Sequence, residues 1–443
     1  MEKAVDIKMA KPITVKLDKM PEIMKKRNQK IRVLWYSDFL RHTGFGNVAE
    51  EILSRLHKTG KYEFVVLGIN YHGQPYCQPD SDYYHLKDIP VYPAFSGGAN
   101  SSLFGYDILD RMLRTQQFDI FFTLQDSFNL LPMMDTIVDA KQNKEFSYIF
   151  YFPIDGDIKK DWVDKAIKLA DYPVTYTEYG RKKVIEQNSF VEPRVIPHGV
   201  DLEKFKPFNT EKDRHDFRKK YFGIEKDLFL ITNVNRNQPR KDLPRTILAF
   251  SEFCKKYKNI NTKLYLHCYS KDNAGHKLHE YTKNYLPDDL WDRIIMPADD
   301  LMEGNGVSTD ILSKIYASSD LVTSTTYGEG WGLSTTEAMS CKTPVVMPDN
   351  SATTEIIGAN NERGYLVKCG QNLNMMFVQK FDNELMRPLT DINDLIKQWK
   401  HVHDNKQEAK KKAEKAYSWL QNYTWDIIAE KWDKLFMEAY ANK

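Results

Sequence analysis

Leu228-Phe-Leu-Ile-Thr-Asn233-Val-Asn-Arg236-Asn-Gln-Pro-Arg240-Lys241-Asp242-Leu-Pro244 decides the architecture. An apolar, β-prone run ends at Asn233, a polar turn carrying three cations follows, and Pro244 marks the start of a helix. That is a strand–turn–helix unit, and the pattern repeats on both sides of it. Upstream come Ile31–Ser37, Phe64–Ile69, Ile120–Leu124, Tyr148–Phe152, Pro173–Tyr176 and Arg194–Ile196. Downstream come Lys263–Cys268, Arg293–Met296, Leu321–Ser324, Pro344–Met347 and Gly364–Val367. Strands alternating with helical stretches predict parallel sheets covered by helices on both faces, an α/β fold of doubly wound sheets. From Leu389 onward the chain reads as helical, and the lysine-rich run Lys406–Lys415 reads as a solvated helix face.

With 443 residues the chain is too long for one ordinary core. The polar stretch beginning at Lys206 is the best boundary. The expected organisation is a polar lead-in at 1–30, a first Rossmann-like domain at 31–205, a second at 206–420, and a terminal helix at 421–443 that crosses back to the first. In such sheets ligands sit beyond the carboxyl ends of the strands, so two facing sheets would hold one in a cleft. Hydrophobic residues at 42% and charged residues at 28% are the mix of a globular protein. The net charge of +2 excludes a polyanion-binding body by bulk charge. Five scattered cysteines without a C-x-x-C pair argue against a disulfide framework or a cysteine zinc site, and suit a reducing cytoplasm. No run approaches the length of a membrane span. A soluble cytoplasmic protein is the expectation.

Three segments carry chemistry. Thr43-Gly44-Phe45-Gly46-Asn47 follows the first strand and opens a helix expected from about Asn47, with Asn47-Val-Ala-Glu50 as a capping box. Its glycines permit close approach of a ligand, or simply a tight turn. Arg236, Arg240 and Lys241 surround a strand-to-helix turn and could clamp a diphosphate, or could be an exposed charged loop. In Thr326-Tyr-Gly-Glu329-Gly-Trp-Gly332-Leu-Ser-Thr-Thr-Glu337 two carboxylates bracket a glycine-rich turn into a helix. Carboxylates there can accept sugar hydroxyls, and the amides around Gly330 to Leu333 can face an anion. Against that, Ser334-Thr-Thr-Glu337 is itself a capping box.

Glu329 to Glu337 resembles the E-x7-E motif of the large retaining family of GT-B glycosyltransferases, the glycogen-synthase-like and mannosyltransferase-like group. The likeness extends, in order, to Thr43–Asn47, to Ile196-Pro-His-Gly-Val-Asp201, to an R-x4-K phosphate clamp at Arg236 and Lys241, and to Leu312–Asp320 and Pro344-Val-Val. It spans about residues 31 to 370. The resemblance implies a GT-B enzyme that moves a sugar from a nucleoside-diphosphate donor, with UDP the expected nucleotide, to an acceptor hydroxyl with retention. No tightly bound cofactor and no metal are implied. By position, Arg236 and Lys241 would neutralise the diphosphate and Glu337 would hold the ribose, with Arg240 the third cation of the clamp. Glu329 with Trp331, Gly332 and Leu333 would hold the sugar, and Gly44 and Gly46 would close over the phosphates.

The chain departs from the family at Asp119-Ile-Phe-Phe-Thr-Leu-Gln125-Asp126, where many members carry a histidine. Asp126 is either an acceptor-side group or a helix cap. Asp155, in Phe152-Pro-Ile-Asp155-Gly-Asp157, is a second acceptor-side candidate, and its D-x-D spacing is read as a turn rather than a metal site. His198 is read as a substrate contact or a buried hinge residue, and Trp331 as a sugar platform or ordinary core. The acceptor could be a saccharide, a lipid-linked sugar, a small molecule or duplex DNA carrying a hydroxymethylated base. The last enters because Trp35-Tyr-Ser-Asp-Phe with Thr-Gly-Phe-Gly-Asn is similar to glycosyltransferases encoded by bacteriophages, some of which modify DNA. The alternatives outside transfer are a nucleotide-sugar hydrolase or epimerase and a non-catalytic nucleotide-sugar-binding protein.

Overall fold

The computed structural model describes residues 30–443 except 42, 96–101, 225–226, 304–305 and 381. Residues 1–29 of the expected lead-in lie outside the described residues. Seven strands form the first sheet: β1 (Ile31–Asp38), β2 (Tyr62–Ile69), β3 (Val91–Pro93), β4 (Ile120–Leu124), β5 (Ser147–Phe152), β6 (Tyr172–Thr175) and β7 (Arg194–Val195). Their order is β3-β2-β1-β4-β5-β6-β7. Six more, β8 (Phe229–Val234), β9 (Thr262–His267), β10 (Ile294–Ile295), β11 (Leu321–Thr323), β12 (Val345–Pro348) and β13 (Tyr365–Val367), form the second, in the order β10-β9-β8-β11-β12-β13. A small antiparallel hairpin of β14 (Met376–Val378) and β15 (Met386–Pro388) follows.

β1 runs parallel to both β2 and β4, and β8 runs parallel to both β9 and β11. The strand order therefore reverses between β1 and β4 in one sheet and between β8 and β11 in the other. A crevice opens at such a switch point because the flanking connections leave to opposite faces. Residues 39–41, 43 and 125–126 border the first switch point, and loops 235–242 and 324–332 border the second. Both sheets are the fully covered type, which is why β1, β4, β5 and β8 are near-continuous apolar runs with no alternation.

The chain divides into two compact units. One takes the described part of Met1–Phe152 with Asp164–Val174 and Ala429–Lys443, and the other takes Pro153–Val163 with Thr175–Ile428. In the first, Trp35 on β1 stacks on Phe122 of β4 at 3.9 Å between ring centroids. The last helix, Trp425–Ala441, sends Trp432 edge-on to Phe122 and Tyr151, and Phe436 against Tyr62. Lys61 anchors the same helix through Asp433 at 2.5 Å. In the second unit Trp399 is fully buried among Phe253, Leu264 and Ile231, with its indole N–H donated to Thr323. Helix Lys406–Leu420 buries Ala409, Ala413, Ala416 and Leu420 and exposes Lys406, Lys410, Lys411 and Lys415, while Lys412 folds over Tyr365 and donates to the Asn361 carbonyl.

The first helix starts at Gly44, not near Asn47. Thr43 is its cap, its hydroxyl accepting from the Gly46 N–H at 3.0 Å, so the Asn47–Glu50 box lies inside the first turns. Among the described residues no helix is long and apolar enough to cross a membrane. Because Trp432 fills the space between β4, β5 and Phe436, Trp432→Ala should cost about 3–5 kcal/mol of unfolding free energy, checked by denaturant titration.

Candidate functional site

The second switch point holds a chain of alternating charges. After β8 the backbone passes through a 3-10 turn, Pro239–Lys241, and reaches Asp242 at φ 44°, a left-handed conformation uncommon away from glycine. The loop after β11 holds that turn in place. Tyr327 N–H donates to the Arg240 carbonyl at 2.9 Å, and the Thr325 hydroxyl donates to the Asp242 carbonyl at 2.7 Å. Arg240 and Lys241 therefore project from a backbone pinned to the segment that carries Glu329.

Lys241 Nζ donates to Glu329 Oε1 at 2.5 Å. Arg240 reaches Glu329 Oε2 at 3.7 Å, puts its Nε 3.3 Å from Asp155 Oδ2 and donates to the Gly328 carbonyl. Burial would raise the Glu329 carboxyl, but Lys241 and Arg240 outweigh it and hold the group below the usual glutamate range. Burial draws the Lys241 ammonium below the ordinary lysine value, against the opposing effect of Glu329. Asp155 behaves like Glu329: burial raises it, and Arg240 and Arg387 together hold it low. Both carboxylates are ionised, and neither is poised to take a proton near neutral pH.

The glycines of the motif are explained by what lies against them. A Cβ on Gly328 would stand 1.7 Å from the Asp155 carbonyl oxygen, and one on Gly330 would stand 2.8 Å from Pro153 Cβ. Segment 153–156 is thus seated on the 326–332 loop with no room for a side chain. Gly332 has φ +100° and is the N-cap of helix Leu333–Ser340. Because the helix begins there, Ser334 lies inside the first turn and the Ser334–Glu337 capping box does not form. Glu337 instead accepts from the Tyr316 hydroxyl at 2.8 Å. Burial pushes its carboxyl up to about 7, with the Tyr316 bond acting in the opposite direction.

The remaining sequence-derived residues are placed as follows. Arg236 turns away from Arg240 and Lys241, mostly exposed, and pairs with Asp272 at 2.7 Å. Trp331 is buried in an aromatic group with His198, Trp419 and Tyr423. His198 is buried too, and desolvation drops its imidazole to about 3, so it is neutral at physiological pH. Its neighbour Gly199 is needed because the Trp425 backbone lies 2.7 Å from where a Cβ would be. In the D-x-D turn, Asp157 accepts from Lys183 at 2.9 Å while Asp155 serves the two arginines. Among the described residues no group of three or more His, Cys, Asp or Glu side chains converges as metal ligands.

At the switch point of the first unit, Gly46 is required because the Arg41 carbonyl lies 2.2 Å from where its Cβ would be, whereas a Cβ on Gly44 meets open space. Asp38 ties the loop down, accepting from Thr43 at 2.8 Å and Asn70 at 3.1 Å. Asp126 occupies the cap position of the turn Ser127–Met133 without a side-chain capping bond. Gln125 supplies the local bond instead, its Oε1 accepting from Asp126 N–H and from Asn129.

Sequence reasoning missed Arg387, Asp382 and Tyr316. Arg387 meets Asp155 from 232 positions away, and no local pattern around Met386-Arg-Pro388 announces it. Tyr316 sat within the helix Leu312–Asp320 already singled out, but its hydroxyl faces Glu337 only once two helices are packed.

Residues 297–383, which include both motif glutamates, match the family model described as glycosyl transferases group 1. No curated protein matches the chain. Solved structures match over nearly the whole of it. Sucrose-phosphate synthase from Thermosynechococcus elongatus is 14% identical with a TM-score of 0.70, covering 94% of this chain and 100% of that one. HepE of Anabaena, in complex with UDP and glucose, is 16% identical with a TM-score of 0.65, covering 92% and 99%. An α,α-trehalose-phosphate synthase (UDP-forming) from Burkholderia vietnamiensis is 13% identical with a TM-score of 0.63, covering 93% and 98%. The fold is GT-B.

Glu337 yields a pH test. Its folded-state pKa lies above its unfolded value, so the neutral form favours the fold, and that stability is lost as pH rises through about 7. Glu337→Gln should therefore gain in melting temperature relative to the parent between pH 5 and 7.5, with little difference below pH 4.5.

Proposed function

We propose that the chain transfers a sugar from a nucleoside-diphosphate sugar, with UDP as the nucleotide, to an acceptor hydroxyl, with retention of anomeric configuration. The observation that carries this reading is the Arg240–Lys241 cation pair, fixed at a strand switch point and joined directly to Glu329 of the segment matching the glycosyltransferase model. The GT-B fold and the UDP and glucose in the HepE complex support it.

In this reading a diphosphate takes over the partners that Glu329 now satisfies. Lys241 and Arg240 turn their charge to the phosphate oxygens. Glu329, freed of Lys241, accepts hydroxyls of the transferred sugar, and Glu337 accepts from the ribose. The bond from the anomeric carbon to the diphosphate breaks as the acceptor oxygen attacks from the same face. The acceptor proton leaves with the departing diphosphate. Cations at that position stabilise the growing negative charge, which is where transition-state stabilisation is most effective, and no metal ion is invoked. Asp155 acts in this scheme by holding Arg240. Asp126, Gly44 and Gly46 are proposed to serve the acceptor side and the donor phosphates.

The test is product analysis of a panel of UDP-, GDP- and ADP-sugars, with and without saccharides, polyols and hydroxymethylated DNA as acceptors. Transfer should require an acceptor. Lys241→Ala and Glu329→Ala should each lower it by at least about 100-fold while the circular-dichroism spectrum is retained. Sugar release at an equal rate without any acceptor would identify a hydrolase instead. Full activity in either variant would remove the assignment.

A further inference from the structure

Arg387 belongs to none of the segments discussed so far as chemistry, yet it is among the most deeply buried charges in the molecule. It sits on β15 with a side chain only 2% exposed. Its guanidinium is divided between two carboxylates. Nε and Nη2 donate to Asp382 at 2.5 and 3.0 Å, and Nη1 donates to Asp155 Oδ1 at 3.0 Å and to the Asp155 carbonyl at 3.2 Å. Space for it is reserved by glycine, since a Cβ on Gly156 would lie 2.5 Å from Nη1. Asp155 is consequently gripped by two guanidinium groups, Arg387 on one oxygen and Arg240 on the other.

A solitary buried arginine–aspartate pair cancels itself, and an Arg240 so cancelled would offer little to an anion. A second guanidinium on the same carboxylate changes the balance. Asp155 can then fix the orientation of Arg240 through Nε while its charge is met from behind, so the outer fork of Arg240 keeps a net positive field. Removing Arg387 would leave three carboxylates, Asp155, Glu329 and Asp382, facing only Arg240 and Lys241. An incoming diphosphate would then bring its negative charge to a site with an excess of carboxylates, whereas the intact set of three cations and three carboxylates is balanced.

We propose that Arg387 is a positioning residue for the diphosphate: by neutralising Asp155 from behind, it lets Asp155 orient Arg240 without quenching it. This rests on the donor-diphosphate reading of the site. Arg387 touches no substrate atom in this scheme and acts only through Asp155.

That dependence makes a rescue experiment decisive. UDP, GDP and ADP are titrated calorimetrically into the parent protein, and the tightest binder is carried into Arg387→Gln and the double variant Arg387→Gln/Asp155→Asn. Arg387→Gln should weaken binding at least about 10-fold, and removing the stranded carboxylate in the double variant should recover most of that loss. A purely structural role predicts no recovery, because a second buried change would only add damage. Unchanged affinity in Arg387→Gln, or a loss that Asp155→Asn does not relieve, would overturn the proposal. If Arg387→Gln fails to fold by circular dichroism, Arg387→Lys decides. Affinity within about 3-fold of the parent supports charge neutralisation, and a 10-fold loss overturns it. If none of the three diphosphates binds the parent protein, the donor reading itself fails, which is a separate result from either variant outcome.

Discussion

The contact on which the site depends is the buried ion pair between Lys241 and Glu329, 2.5 Å apart. Its partners come from the two loops that border the switch point of the second sheet. Neither charge is tolerable alone in that environment: stripping one partner from a buried pair typically costs about 3–5 kcal/mol. The pair therefore constrains both loops at once, and the hydrogen bonds from Thr325 and Tyr327 to the 240–242 backbone are the neutral part of the same constraint. A pair of this kind adds little net stability, and in the proposed reading it holds opposite charges ready for exchange. An anion that displaces Glu329 from Lys241 leaves a carboxylate ready to receive hydroxyl donors.

The glycines follow from this arrangement. Gly328 and Gly330 are small because segment 153–156 lies directly on them, and that segment delivers Asp155 to Arg240. Extending outward, Arg387 and Asp382 continue the alternation of charge, so that three cations and three carboxylates form one connected set. Glu337 is outside it. Among the described residues no cation pairs with it, and burial lifts its carboxyl to about 7 against the Tyr316 bond, whereas that of Glu329 falls. Two glutamates of one motif thus have opposite electrostatic settings, in keeping with the different tasks proposed for them.

Much of the fold was legible because parallel strands buried on both faces read as unbroken apolar runs. The ends moved by a residue or two, as at Tyr62–Ile69 and Thr262–His267. Strands β3, β14 and β15 were missed because they are short and partly exposed, whereas the equally short β11 and β13 are fully buried and read as apolar runs. Both capping boxes misled for one reason: a box is recognised by spacing alone, and the helix chose an earlier start, at Thr43 by side-chain capping and at Gly332 by a left-handed turn. Lys241, Arg240 and Glu329 were legible as neighbours because each follows a strand. Arg236 lies on the same loop but faces Asp272, a matter of side-chain direction that spacing does not encode. Arg387 was not legible at all, because its meaning comes from an aspartate contributed by a distant part of the chain.

In the proposed reading this connected set of charges is a diphosphate site. Thermal unfolding of the intact chain with UDP, GDP, ADP and CMP, alone and as their sugar conjugates, tests it most directly. A ligand at a hundred times its dissociation constant adds about 2.7 kcal/mol, which for a chain of this size moves the transition by about 2–4 °C. A diphosphate site should give such a shift with one nucleoside diphosphate and lose it in Lys241→Ala. No shift with any nucleotide, or a shift that survives in Lys241→Ala, would contradict it.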